Sequence, residues 1–96
     1  MGQDVSEIKA VKAQVSGRVQ GVNFRAWTQG EARGRGLGGW VRNEDDGTVT
    51  AHLEGAPEAV DAMVTALRKG PTAAAVRELM VSDATPEGTP HFDIRR

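Results

Sequence analysis

The chain has 96 residues, a formal net charge of −1 and no cysteine. This length allows one small domain with a limited apolar core, which no disulfide can reinforce. The charge disfavours nucleic acid and anionic membranes as partners, and the lack of cysteine agrees with a cytoplasmic location. The N-terminal sequence MGQDVSEIK has no apolar run, so we expect neither a signal peptide nor a membrane span.

The first residues of the chain are polar, and we expect a flexible N-terminal segment over 1–7, followed by a single domain over 8–96. Val11, Ala13 and Val15 alternate with polar residues. Because alternate residues of a strand face opposite sides, this pattern predicts a first strand with one apolar face.

A loop over 16–23 is predicted to follow, and then a helix over about 24–35 with a thin apolar face. That face consists of Phe24, Trp27, Thr28 and Ala32. Gly30 and Gly34 lower the helix propensity. We therefore expect a helix that depends on packing rather than on its own propensity.

The next segment reads as a hairpin, because Asp46-Gly47 is a strong turn signal between strands over 40–42 and 48–54. Alternate residues of the second strand face opposite ways, with Val49, Ala51 and Leu53 on one side and Thr50, His52 and Glu54 on the other. A half-buried strand has this alternation.

A second helix is predicted from Pro57 to the stop at Gly70-Pro71. Its apolar stripe is Val60, Met63, Val64 and Leu67. A fourth strand follows over 76–82 with Leu79 and Val81 on its inner face, then a loop over 83–90 and a short strand over 91–95. The order βαββαβ, with one more strand, predicts an α+β, ferredoxin-like sandwich. We expect an antiparallel sheet of four to five strands with both helices on one face.

The loop between the first strand and the first helix has the composition of an anion cradle. Gly17 and Gly21 bracket a short basic run that ends at Phe24-Arg25. Such a loop can point several backbone N–H groups into one concavity, and the helix N-terminus adds a partial positive charge. The guanidinium of Arg25 can grip two oxygens of one phosphate.

Two motifs together extend this interpretation: GRVQGVNFR at 17–25 and GWVRNEDDGTV at 39–49. In combination they closely resemble the acylphosphatase family, whose pattern is G-x-V-Q-G-V-x-F-R followed by G-W-V-x-N-x-x-D-G-x-V. The resemblance runs from about Ile8 to the end of the chain and includes the run FDIR at 92–95. Arg35 stands where the family more often has an apolar residue, so the end of the first helix could be loosely packed.

The resemblance implies hydrolysis of small acyl phosphates, with Arg25 and Asn43 as the catalytic residues. An acyl phosphate has a good carboxylate leaving group, so its hydrolysis requires neither a metal nor a strong nucleophile. It requires a held phosphoryl group and one aimed water, which the amide of Asn43 is suited to orient. The phosphate-binding residues are predicted to be Arg18, Val19, Gln20, Gly21, Val22, Asn23, Phe24 and Arg25. We expect no cofactor and no metal, inorganic phosphate as a second ligand, and a monomer.

Alternatives remain open. A domain of this fold could hold an anion without turnover, and related domains occur inside larger carbamoyl-transferring maturation proteins; the length of 96 residues favours the small enzyme.

Trp27 and Trp40 could stack on bases, but core or rim packing is the simpler interpretation. His52 and His91 lack the paired spacing of metal ligands, and Gly34, Gly36 and Gly39 follow a helix rather than a strand, unlike a dinucleotide-binding motif.

Overall fold

The computed structural model describes residues 7–96; the first six residues of the predicted flexible segment lie outside the described residues. The strands and helices follow one another along the chain in the predicted order. The elements are β1 (Lys9–Arg18), α1 (Phe24–Gly34), β2 (Gly38–Asn43), β3 (Val49–Gly55), α2 (Pro57–Lys69), β4 (Ala75–Asp83) and β5 (Phe92–Arg95).

The strands form one five-stranded sheet in the order β4-β1-β3-β2-β5. The ferredoxin-like fold is therefore confirmed, with one exception to the predicted antiparallel pairing. β1–β3, β1–β4 and β2–β3 are antiparallel, whereas β5 runs parallel to β2. The reason is that β4 and β5 lie at opposite edges of the sheet, so the chain between them crosses the sheet instead of turning back beside β4.

Both helices pack on one face of the sheet. The apolar positions of β1 and β3 that alternate in the sequence are buried there, and α2 contributes the predicted stripe positions Val60, Met63 and Leu67. From α1, the buried residues are Phe24, Thr28 and Ala32, while Trp27 is partly buried against the same core. Among residues 7–96, no helix is long and apolar enough to cross a membrane.

The segment 84–91, here called the strap, crosses the opposite face of the sheet and covers part of it, while Lys12 and Met80 on that face are exposed. Its ends are fixed by hydrogen bonds from Ala84 N to Ala10 O on β1 (3.1 Å) and from Gly39 N on β2 to His91 O (2.9 Å). Under it, His52 and Glu54 of β3 are only 3% and 6% exposed. The polar residues of β3 thus face away from the helices as predicted, but they are buried as well.

β4 is an edge strand and is mostly exposed. Leu79 packs against the core as predicted, but Val81, on the same face of this edge strand, is 41% exposed. Arg35, the residue that is unusual for its position, is half-buried and pairs with the carboxylate of Glu31 one turn earlier. This ion pair occupies the end of α1 in place of an apolar contact.

Candidate active site

The loop between β1 and α1 turns sharply by means of two residues with positive φ. Gly21 has φ of 75° and Asn23 has φ of 65°. Glycine adopts this conformation at no steric cost, and asparagine tolerates it better than most residues. The two residues therefore let the loop curl at the start of the helix.

The N-terminus of α1 opens onto the concave side of this loop. Asn23 occupies the N-cap position without a side-chain capping bond, and the first turn of the helix contains no acidic residue. The first helical hydrogen bond runs from Trp27 N to Asn23 O (3.0 Å), so the amides of residues 24–26 have no acceptor inside the helix. Free N–H groups at a helix N-terminus favour an anion.

A cavity of about 260 Å³ lies at this point. Its walls come from the loop, the first turn of α1, the end of β2 and β5, and comprise Val19, Gly21, Asn23, Phe24, Arg25, Ala26, Asn43 and Ile94. The Nη1 atom of Arg25 donates a hydrogen bond to the main-chain oxygen of Arg95 (3.2 Å). Within the described chain this is the only hydrogen bond of the guanidinium, so its remaining N–H groups stay available to a ligand.

Asn43 is the last residue of β2 and lines the same cavity. Its main chain pairs with Val49 in the β2–β3 ladder, which fixes its position. Its side-chain Oδ1 atom is buried and has no hydrogen-bond partner among residues 7–96. A buried oxygen that accepts no hydrogen bond lowers the stability of the fold by about 1–3 kcal/mol. A hydrogen bond from a donor such as water would remove this cost.

Gln20 connects the two halves of the site. Its Nε2 atom donates to the main-chain oxygens of Glu44 and Thr48, both at 2.9 Å. Glu44 and Thr48 lie on either side of the tip of the β2–β3 hairpin, and Glu44 directly follows Asn43. Gln20 therefore ties the loop that carries the free amides to the strand that carries Asn43.

Two of the three acidic residues of the hairpin, Glu44 and Asp46, already have hydrogen-bond partners. Arg42 Nε lies 2.9 Å from Glu44 Oε2, and hydrogen bonds from Thr50 and from Arg42 hold the pKa of the Glu44 carboxyl below its usual range. The Asp46 carboxylate accepts from the Thr48 hydroxyl (2.7 Å) and amide (3.0 Å), which also lowers its pKa. These carboxylates act as turn residues, and none of them lines the cavity.

The structure brings most of the predicted residues together, in different ways. Val19, Gly21, Asn23, Phe24, Arg25 and Asn43 line the cavity. Arg18 lines a neighbouring depression, Val22 packs against the core, and the Gln20 side chain is engaged with the hairpin. The sequence interpretation missed Ala26, Ile94 and the carbonyl of Arg95. A main-chain carbonyl carries no side-chain signal, although the run FDIR at 92–95 pointed to this strand.

Among residues 7–96, no three His, Cys, Asp or Glu residues lie close enough to one another to hold a metal ion. The polar groups at the cavity are backbone amides, the guanidinium of Arg25 and the carboxamides of Asn23 and Asn43. This set suits an oxyanion held by charge-assisted hydrogen bonds.

Comparisons with known proteins identify the family of the chain. The acylphosphatase family model matches residues 11–94. An acylphosphatase of Mesorhizobium japonicum is 57% identical over 75 residues, which cover 78% of this chain and 80% of that protein. One from a Nocardioides species is 48% identical over 94 residues, covering 98% and 95% of the two chains. The crystal structure of an acylphosphatase from Bacillus subtilis superposes with a TM-score of 0.89 at 37% identity, over 94% of this chain and all of that one. The chain therefore belongs to the acylphosphatase family of enzymes.

Proposed function

We propose that this enzyme hydrolyses the carboxyl–phosphate anhydride bond of small acyl phosphates without a metal ion, using Arg25 to hold the phosphoryl group and Asn43 to orient water. The family and the fold support hydrolysis of acyl phosphates. The roles of the individual residues are those that the resemblance to the family implies, and the geometry of the cavity supports them.

The phosphoryl group binds where the loop over 18–25 meets α1. Free amides of the first helical turn and the loop donate to its oxygens, and the Arg25 guanidinium adds a second set of donors. The hydrogen bond from Arg25 to the carbonyl of Arg95 holds the guanidinium at the cavity before substrate arrives. Such preorganisation lowers the cost of stabilising charge in the transition state.

The observation that carries the proposal is the unpartnered Oδ1 atom of Asn43 at the same cavity. A water that donates to this oxygen satisfies it and is held beside the phosphorus atom. The water oxygen attacks phosphorus, the bond from phosphorus to the acyl oxygen breaks, and the carboxylate leaves with the electron pair. The water proton passes to a phosphoryl oxygen, since the described walls of the cavity include no carboxylate or imidazole to accept it.

Catalysis in this scheme consists of positioning and charge neutralisation. The leaving carboxylate is a weak base, so it needs no general acid. Neither the attack of water nor the departure of the carboxylate requires a Lewis acid, because the backbone amides and Arg25 supply the positive charge that stabilises the phosphoryl oxygens. We further propose small acyl phosphates as substrates, inorganic phosphate as product and competitive ligand, a monomer as the active form and the cytoplasm as its location.

The direct test is hydrolysis of benzoyl phosphate by purified protein treated with a chelator. We expect full activity with the chelator present and nearly none toward p-nitrophenyl phosphate, whose leaving group is poorer. Loss of activity on chelation with recovery on adding a divalent ion would overturn the metal-free mechanism. Tight phosphate binding without turnover of any acyl phosphate would instead favour the anion-binding module considered from the sequence.

A further inference from the structure

A buried polar cluster lies on the sheet face opposite the helices. Oε1 of Glu54 lies 2.6 Å from Nε2 of His52 and accepts the main-chain N–H of Glu87 at 2.7 Å, while Oε2 accepts the N–H of Gly88 at 2.9 Å. A carboxylate with three donors in a buried position is a strong anchor. Glu54 thus fixes the middle of the strap to the centre of the sheet.

The cluster also fixes the indole ring of Trp40. Nε1 of Trp40 donates to Oε1 of Glu87 at 3.2 Å, and the ring stacks on His52 with centroids 6.0 Å apart and planes 14° apart. Oε2 of Glu87 also lies 3.8 Å from Nδ1 of His52. Residues that Glu54 anchors therefore contact both the edge and one face of the Trp40 ring; the Arg42 guanidinium, 4.9 Å from the ring centroid, is a further contact.

Trp40 in turn contacts the strand that reaches the active site. The guanidinium of Arg95 lies over the Trp40 ring, 4.8 Å from its centroid, which is the range of a cation–π contact. The main-chain oxygen of the same residue accepts the hydrogen bond from Arg25. Arg95 thus joins the polar cluster on one side of the sheet to the phosphate-binding residue on the other.

The end of β5 has few other contacts that could hold it. The strand has four residues, and only Phe92 is buried; the remaining three are exposed. Gln29 donates to the Phe92 oxygen at 3.0 Å, at the beginning of the strand. The position of the Arg95 carbonyl therefore depends on the ladder with β2 and on the Arg95–Trp40 contact.

We propose that Glu54, Glu87 and Trp40 are positioning residues for Arg25, acting through Arg95. This rests on the proposed function, in which Arg25 holds the phosphoryl group. The cluster fixes the position of the Trp40 ring, and the ring fixes the position of the end of β5. The Arg95 carbonyl at that end then fixes the position of the Arg25 guanidinium in the cavity. None of the three residues lines that cavity.

Glu87→Ala is the first test, because the side chain is 42% exposed and the main-chain N–H to Glu54 remains. We expect the KM for benzoyl phosphate and the inhibition constant of inorganic phosphate to rise together by about two- to thirtyfold, the range of couplings that act through intermediate residues. Glu78→Ala is the matched control, since it removes the same charge from exposed β4; it should leave both constants unchanged.

A purely structural role gives a different result. Partial unfolding lowers the concentration of active enzyme and hence the apparent kcat, while KM and the phosphate constant stay at their native values. Glu54→Gln, which keeps the size but loses an acceptor, should raise both constants as Glu87→Ala does. If both variants change only the apparent kcat, the positioning role is wrong.

A double-mutant cycle with Arg95→Ala tests the route. This variant removes the guanidinium from Trp40 but keeps the carbonyl that Arg25 uses, so it should raise the same two constants. Glu87→Ala should then add little in the Arg95→Ala background, because both changes interrupt one connection. Independent, additive effects would overturn the route. Failure of the proposed function is recognised separately, by normal phosphate binding in Arg25→Ala.

Discussion

The Nη1 atom of Arg25 lies 3.2 Å from the main-chain oxygen of Arg95, and this contact joins the first turn of α1 to the last residue of β5. A main-chain acceptor holds the guanidinium without neutralising it, in contrast to a carboxylate partner. The full positive charge therefore remains available to an anion in the cavity, which is the role that we propose for Arg25. The same contact makes the edge strand β5 a part of the active site.

Replacing Arg25 tests the phosphate cradle. Arg25→Ala should weaken inhibition by inorganic phosphate by on the order of a hundredfold, since hydrogen bonds to charged groups are worth about 1.5–3 kcal/mol. Arg25→Lys should recover little, because a point charge cannot reproduce the planar fork of donors. Both are measured as the phosphate inhibition constant in benzoyl phosphate hydrolysis.

Phosphate should also raise the melting temperature of the native protein, since it binds only the folded cradle. This increase should disappear in Arg25→Ala. A variant that keeps both normal inhibition and the thermal shift would move the phosphate site away from Arg25.

Gln20 should affect stability more than its exposed neighbours do. Gln20→Ala removes two hydrogen bonds to main-chain oxygens and should cost about 1–3 kcal/mol, which corresponds to a fall in melting temperature of about 4–8 °C for each kcal/mol. Gln20→Glu should be worse, because a carboxylate is acceptor-only and would face two carbonyls. Thermal denaturation at pH 7 measures both.

Gln14→Ala is the control for the two Gln20 variants, because Gln14 donates one longer hydrogen bond, of 3.3 Å, to the Thr48 hydroxyl. It should change the melting temperature little. Equal stability of Gln20→Glu and the native protein would contradict the role of Gln20 as a double donor.

Acid should destabilise the protein through Glu54. Burial opposes ionisation of this carboxyl, but the hydrogen bonds from Glu87 N, His52 and Gly88 N outweigh it and lower its pKa from the ordinary value of 4.5. A lowered folded-state pKa contributes stability that is fully present above the unfolded value and is lost as the pH falls through the folded value.

We therefore expect the free energy of unfolding to decrease as the pH falls below about 4.5, as measured by urea denaturation at a series of pH values. Glu54→Gln should be less stable at pH 7 and should show a shallower decrease in acid. Glu78→Gln is the control, since it removes a carboxylate that is exposed on the edge strand β4. Identical pH profiles for Glu54→Gln and the native protein would contradict the account.

Local patterns in the sequence were enough to predict the helices, the hairpin and the helix-facing core. The period-two alternation in β1 and the turn at Asp46-Gly47 depend on neighbouring residues, and the structure agrees with them. The cavity-lining residues from the loop and from β2 were predicted instead from the resemblance of two motifs to the acylphosphatase family. Each of them is a side chain or a glycine within one of two short motifs.

Features that depend on distant residues could not be predicted. The parallel pairing of β5 with β2 follows from the path of the strap, which is fixed by Glu54 and by main-chain bonds at its two ends. The burial of His52 and Glu54 was not predicted, because nothing in β3 itself shows that a later segment covers them. The contact of the Arg95 carbonyl with Arg25 could not be predicted for the same reason, since it forms only where β5 meets α1.

Asn43→Ala, with kcat and the phosphate inhibition constant measured separately on benzoyl phosphate, tests the central claim most directly. Loss of one positioned polar group at a reacting centre should lower kcat by on the order of a hundredfold or more. Because Arg25 and the loop amides already hold the phosphate, its inhibition constant should stay within about twofold of the native value. Full turnover in this variant would contradict the water-orienting role, and a phosphate constant that rises in step with the fall in kcat would make Asn43 part of the cradle instead.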